Sequence, residues 1–141
     1  MIMITWNCFV AIGILMMKIF DNIQINATSS FLVDKSDLDN SVYLFTYNIQ
    51  IKNLSAEPLK LLTRHWEIRD ALGNVDVVDG EGVIGEMPII KSKEDYIYSS
   101  FCPLKTSFGS MSGFYTFSRD NGEIIKSLIP EFSLIVPEYI N

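Results

Sequence analysis

From Tyr43 to Lys52 the chain keeps one unbroken parity: Tyr43, Phe45, Tyr47, Ile49 and Ile51 are apolar, while Leu44, Thr46, Asn48, Gln50 and Lys52 fall between them. A period of two sends alternate side chains to opposite faces, so this stretch predicts a half-buried β-strand. The same pattern recurs along the chain. Asn53-Leu54-Ser55-Ala56-Glu57-Pro58 supplies turn chemistry, Leu62, Trp66 and Ile68 are expected on one face of a second strand ending near Asp70, and Ala71-Leu72-Gly73-Asn74 closes a hairpin. Tyr96 and Tyr98, then Tyr115 and Phe117, mark two further strands, and Asp120-Asn121-Gly122 is a tight hairpin turn. Two short strands are expected around Glu123 to Leu128 and Phe132 to Val136, and another between Ile19 and Val33, where Ile19, Ile23, Ile25 and Ala27 share a parity. No sustained helical period occurs from Lys18 onward. The reading is an all-β protein, an immunoglobulin or fibronectin type III-like antiparallel β-sandwich of about seven to eight strands. Pro58, Pro88, Pro103, Pro130 and Pro137 are expected at strand ends, where a missing N–H costs the ladder least.

The 141 residues, 48% of them hydrophobic, suffice for one core without metals or disulfides. Eleven basic against seventeen acidic residues leave a net charge of −6, with no surplus of Lys and Arg to neutralise a phosphate backbone, so nucleic acid is discounted as a partner. The two cysteines, Cys8 and Cys102, have neither disulfide-framework nor zinc-site spacing, which points to a reducing, cytoplasmic setting with Cys102 as a small core residue.

Residues 1–16 stand apart. Met1 to Met17 carries no charged side chain, and Phe9 to Met17 is almost wholly apolar. The run is short for a membrane span, and no basic residue precedes it as a secretory signal requires. A true translation start at Met17 or Met16 is favoured, the alternatives being a weak signal or anchor and a genuine extension. The domain proper is then 17–141.

Three groups of residues invite a chemical reading. Gly80-Glu81-Gly82-Val83-Ile84-Gly85 has the spacing of a dinucleotide-binding glycine loop, but the flanking strand and helix that give such a loop its phosphate affinity are not evident; Pro88 follows closely, and the glycines are equally explained by positive φ or a bulge. His65, between Arg64 and Trp66, falls on the parity opposite to the core-facing Trp66, and no nucleophile motif accompanies it, so no catalytic residue is assigned and no enzyme activity is expected. Asp34, Asp37 and Asp39, and separately Asp76, Asp79, Glu81 and Glu86, form two acidic groups without EF-hand spacing; weak binding of a divalent cation is conceivable, but no metal ligand or cofactor is assigned.

Taken together, Tyr47 to Leu54, Arg64-His65-Trp66-Glu67-Ile68 with Asp70 and Gly73, Gly80 to Pro88, Gly109 to Tyr115 and Ile129 to Leu134 make the chain resemble the ApaG family, from Tyr43 to Leu134. The resemblance implies a bacterial sandwich protein linked to cobalt resistance and magnesium homeostasis, and its eukaryotic relatives in F-box proteins imply a protein-recognition module. Three hypotheses follow: interaction with a protein partner, an accessory role in divalent-cation handling, and binding of a nucleotide phosphate such as a diadenosine polyphosphate. For the last, Gly80, Gly82, Gly85, Arg64 and His65 are the candidate ligand-binding residues. At turns the chain departs from the family pattern, with Ser92-Lys93 where Pro-Gly is common, Phe101 where Gly is common and Ser107 where Pro is common; each raises the cost of its loop by about 1 kcal/mol.

Overall fold

A computed structural model describes residues 18–138, so the expectations about residues 1–16 lie outside the described part. Eight strands follow in order: β1 (Ile23–Phe31), β2 (Tyr43–Asn53), β3 (Leu59–Asp70), β4 (Val75–Glu81), β5 (Ile89–Ile90), β6 (Asp95–Leu104), β7 (Phe108–Ser118) and β8 (Ile124–Ile135). Two single 3-10 turns, Val33–Lys35 and Leu38–Asn40, interrupt the β1–β2 connection. One sheet has the order β1-β2-β6; the other runs β4-β3-β7-β8, with β5 paired to the start of β3. All strand pairs are antiparallel, and the two sheets face each other across one apolar layer, as the period-two pattern requires.

The core is built by the parities read from the sequence. Phe45, Tyr47, Ile49 and Ile51 from β2 are buried against Trp66, Tyr115 and Phe117 from the opposite sheet. Trp66 is the hub, its ring lying edge-on to Tyr47, Tyr115 and Phe132 at centroid distances of 5.5, 6.2 and 5.9 Å. Such edge-to-face pairs add to the stabilisation that the buried area already gives.

Four expectations are corrected. Leu62 does not share the face of Trp66: a bulge between Leu61 and Thr63 switches the parity of β3, so Leu61 is fully buried and Leu62 is not. The two short strands at the C-terminal end are one continuous β8. Its register steps from Ile129 to Phe132 opposite Met111 to Gly113, and Pro130 sits in that irregularity, where its missing N–H breaks no ladder bond. Pro130 and Pro103 therefore lie within strands and not at their ends, and Pro103 is tolerated because β6 is an edge strand. The strand not evident from the sequence ahead of the glycine motif is present, since Val75 to Glu81 forms β4.

The sandwich has two unlike sides. On one, β1 meets β8, and the Ser29 hydroxyl donates to the Ser133 carbonyl at 2.6 Å. On the other, the edges β4 and β6 pair with no further strand among the described residues.

Candidate functional site

The glycine segment and Arg64 come together at the free β4 edge. Arg64 has the parity of Trp66 and points under β4, where its guanidinium donates to the carbonyls of Glu81 and Gly82, each at 2.9 Å. A Cβ on Gly80 would lie only 2.6–2.7 Å from three guanidinium atoms, so Gly80 is the residue that lets Arg64 stack face-on against the backbone. Gly82 has φ +62, and a Cβ there would lie 2.1 Å from the Glu86 carbonyl oxygen. Ile84 and Gly85 have φ +44 and +79, the two positive values of a type I′ turn, closed by reciprocal bonds between Val83 and Glu86. Each glycine of the motif therefore has a local steric reason.

The amides of this segment do not converge on an open nest. Gly80 is paired with Arg64 in the β3–β4 ladder, Gly82 donates to the Leu62 carbonyl at 2.7 Å, and Val83 and Glu86 donate to each other. A phosphate-cradling loop needs successive N–H groups free and aimed at one point. This arrangement does not supply the backbone geometry expected of a nucleotide-phosphate site.

Behind Arg64 lies a row of tyrosines. The Tyr98 and Tyr115 hydroxyls bond to each other at 2.5 Å in the interior, and Tyr96 donates to the Glu86 carboxylate at 2.6 Å. Desolvation, followed by the Glu86 bond, pushes Tyr96 up to about 12. Burial also raises Tyr98, Tyr115 and Tyr47. These hydroxyls are held neutral and act as structural bonds. The Cys102 thiol is likewise pushed up to about 11, first by burial and then by the Asp76 carboxylate, which suppresses thiolate chemistry.

His65 is not part of this group. It lies on the outer sheet face, with Nδ1 2.6 Å from the Asp79 carboxylate and its ring stacked on Phe114 at 4.7 Å. Lys126 places its Nζ 4.6 Å from the centroid of the same Phe114 ring. Of the five candidate residues, the structure joins Arg64 to Gly80 and Gly82, leaves Gly85 in the turn beyond them, and puts His65 on the other face of β3.

The acidic groups are divided as well. Asp37 accepts from the amide and the side chain of Asn40, shaping the turn at its own loop. Asp76 lines an open depression of about 610 Å³ together with Val42, Ile68, Val75, Pro103 and Leu104, whereas Glu86 lies beyond the opposite end of β4. Among the described residues, no group of three or more His, Cys, Asp or Glu could hold a metal ion.

The sequence reading missed β4 itself. Gly82 faces β3 with its N–H, and strand alternation then turns the N–H and C=O groups of Val75, Val77, Asp79 and Glu81 to the free side. Val75, Val77 and Val78 are 45%, 56% and 40% exposed, on a strand where every residue but Gly80 is open to solvent. The signal was present as Val75-Asp76-Val77-Val78-Asp79, a β-branched run between the Asn74 turn and Gly80.

The ApaG domain profile matches residues 33–119. The chain is 42% identical over 116 residues to Protein ApaG of Agrobacterium fabrum, covering 82% of this chain and 89% of that one. It is 39% identical to Protein ApaG of Beijerinckia indica with the same coverage. A crystal structure assigned as the ApaA protein of Bordetella pertussis superposes with a TM-score of 0.80 at 34% identity, covering 86% of this chain and 98% of that chain. The domain match, the identity of about 40% over most of both chains and the shared fold establish that this chain belongs to the ApaG family.

Proposed function

We propose that this chain is a non-catalytic binding module that recognises a protein partner by adding an extended segment of that partner to the free edge of β4. The observation that carries the reading is β4 itself: Val75, Val77 and Asp79 turn backbone groups to a side that no other described strand pairs, the Glu81 carbonyl beyond them being taken by Arg64, and three exposed valines lie beside them. Main-chain bonds to an added strand provide affinity, and the alternating side chains provide selectivity. The chemistry elsewhere supports binding over catalysis, since the buried hydroxyls and the Cys102 thiol are held in their neutral forms. The link to cobalt resistance and magnesium homeostasis that the ApaG resemblance implies is proposed to run through such a partner. A cytoplasmic setting accords with the free, buried Cys102, and no helix among the described residues is long and apolar enough to cross a membrane.

Selection from a random-peptide display library tests the reading. Recovered peptides are expected to shift the backbone amide resonances of Val75 to Glu81, and to lose binding to the Val77→Pro variant. That substitution removes an N–H on the free side and leaves the β3 ladder intact. Undiminished binding to a folded Val77→Pro variant, or shifts confined to other strands, would sink the proposal.

A further inference from the structure

Resting on the reading of β4 as a recognition edge, we infer that its occupant is a basic, extended segment with apolar residues towards one end and Lys or Arg on both of its faces. The inference comes from the charges that flank the free backbone groups. Asp76, Asp79 and Glu81 lie on the seven residues of β4, and no Lys or Arg does. Asp79 is held by His65 at 2.6 Å, whereas Asp76 and Glu81 form no ion pair among the described residues. Strand alternation sends Val75, Val77, Asp79 and Glu81 to the outer face and Asp76, Val78 and Gly80 to the cleft face. An added strand would therefore meet valines at the start of β4 and carboxylates at its end on the outer face, with Asp76 and the exposed Val78 on the cleft face beside the depression. A partner with apolar residues at the first end and Lys or Arg facing Asp76 and Glu81 matches both faces. Opposite charges across neighbouring strands stabilise the pair, and like charges oppose it.

The same charges argue against a second copy of this chain. Pairing β4 with β4 would bring three carboxylates from each copy to one seam, between two chains that each carry a net charge of −6. The acidic residues thus guard the exposed edge against self-association while leaving it open to a basic strand. The depression beside Asp76 is lined by Val42, Ile68, Pro103 and Leu104 with Asp70, Asn74 and Lys105 at its polar side, and its apolar part offers room for one apolar side chain of the occupant.

Two synthetic peptides of about nine residues, one of Val with Lys at positions five apart so that Lys falls on both faces, and the other with Glu at those positions, test the inference by amide-resonance titration of the full chain. The Lys–Val peptide is expected to shift Val75 to Glu81 and to weaken about tenfold when salt is raised several-fold, since exposed charges are screened. The Glu–Val peptide should leave these residues unmoved. In the double variant Asp76→Lys, Glu81→Lys, whose thermal midpoint is checked first, the preference should reverse. If both peptides bind β4 alike, the charge inference falls and the edge reading stands. If neither moves β4, the charge inference falls, and the library selection decides separately whether the edge binds anything. A dimer in sedimentation that Val77→Pro abolishes would replace the basic segment with a second copy.

Discussion

Gly113 and His65 approach so closely that a Cβ on Gly113 would lie 1.8 Å from the His65 carbonyl oxygen and 3.2 Å from the Trp66 Cα. Both obstacles are backbone of the central strand β3, so neither can rotate away. Gly113→Ala is expected to cost more than about 4 kcal/mol or to prevent folding, a loss at the extreme of single substitutions. Urea unfolding, or failure to recover soluble protein, checks this beside Gly122→Ala, which meets nothing within 4 Å but sits at φ +84 and should lose only the roughly 1–2 kcal/mol of a left-handed backbone.

Gly80 and Arg64 form a milder version of the same relationship. Gly80→Ala displaces a flexible guanidinium, and Arg64→Ala removes it, so both lose the two bonds to the Glu81 and Gly82 carbonyls. Each is expected to destabilise by about 1–3 kcal/mol. Because they break one contact, the double variant should cost little more than either alone, which a double-mutant cycle measures.

Lys93 occupies the left-handed region with φ +68, the backbone conformation that glycine adopts at least cost. Its ammonium donates to the Leu54 carbonyl at 2.6 Å, an exposed contact of small worth. Lys93→Gly is expected to raise stability by about 0.5–1 kcal/mol, visible as an upward shift of the denaturation midpoint with an unchanged slope.

Acid sensitivity should trace to Glu57, whose carboxyl is held below the ordinary carboxylate range by the Arg119 guanidinium at 2.9 and 3.1 Å. A depressed folded pKa contributes stability that is complete above the unfolded value of 4.5 and is lost as pH falls through the lower folded value. The difference in thermal midpoint between the native chain and Glu57→Gln should therefore be constant above about pH 5.5 and shrink as pH falls below about 4.5. A difference that instead grows on acidification would refute the assignment. Asp70, depressed first by its side-chain bond to Asn74, adds a loss in the same direction.

At the alkaline end Tyr96 reports on Glu86. Its hydroxyl is pushed up to about 12, so stability is complete below the unfolded value of 10.0 and declines as pH rises towards the folded value. Glu86→Gln removes the carboxylate that opposes the phenolate, so the Tyr96 ionisation step should move to lower pH in an absorbance titration. No movement would show that desolvation alone sets the value.

The alternating parity of β2 was legible because one face of that strand is buried and the other is wet, so the pattern carries the structure directly. Leu62 was misread because a bulge leaves no mark on composition: a single extra residue reverses every parity before it. The two halves of β8 were separated at Pro130, which ordinarily ends a strand but here sits in a register step. β4 was hidden for a different reason. An edge strand exposed on both faces needs no alternation, and its three acidic residues read as loop. Among the site residues, the Arg64 and Gly80 partnership was out of reach, since spacing alone cannot distinguish a glycine that admits a phosphate from one that admits a guanidinium.

The clasp from Ser29 to Ser133 joins residues 104 positions apart, close to the whole length of the described chain. A ribosome releases the N-terminal strand long before β8 exists, so β1 can find β2 early, but the side of the sandwich that the clasp closes must wait until synthesis is nearly complete. Loop closure over such a span slows folding. Until β8 has emerged, the aromatic interior that it closes has no other cover in this fold, the condition in which an emerging chain is most exposed to aggregation.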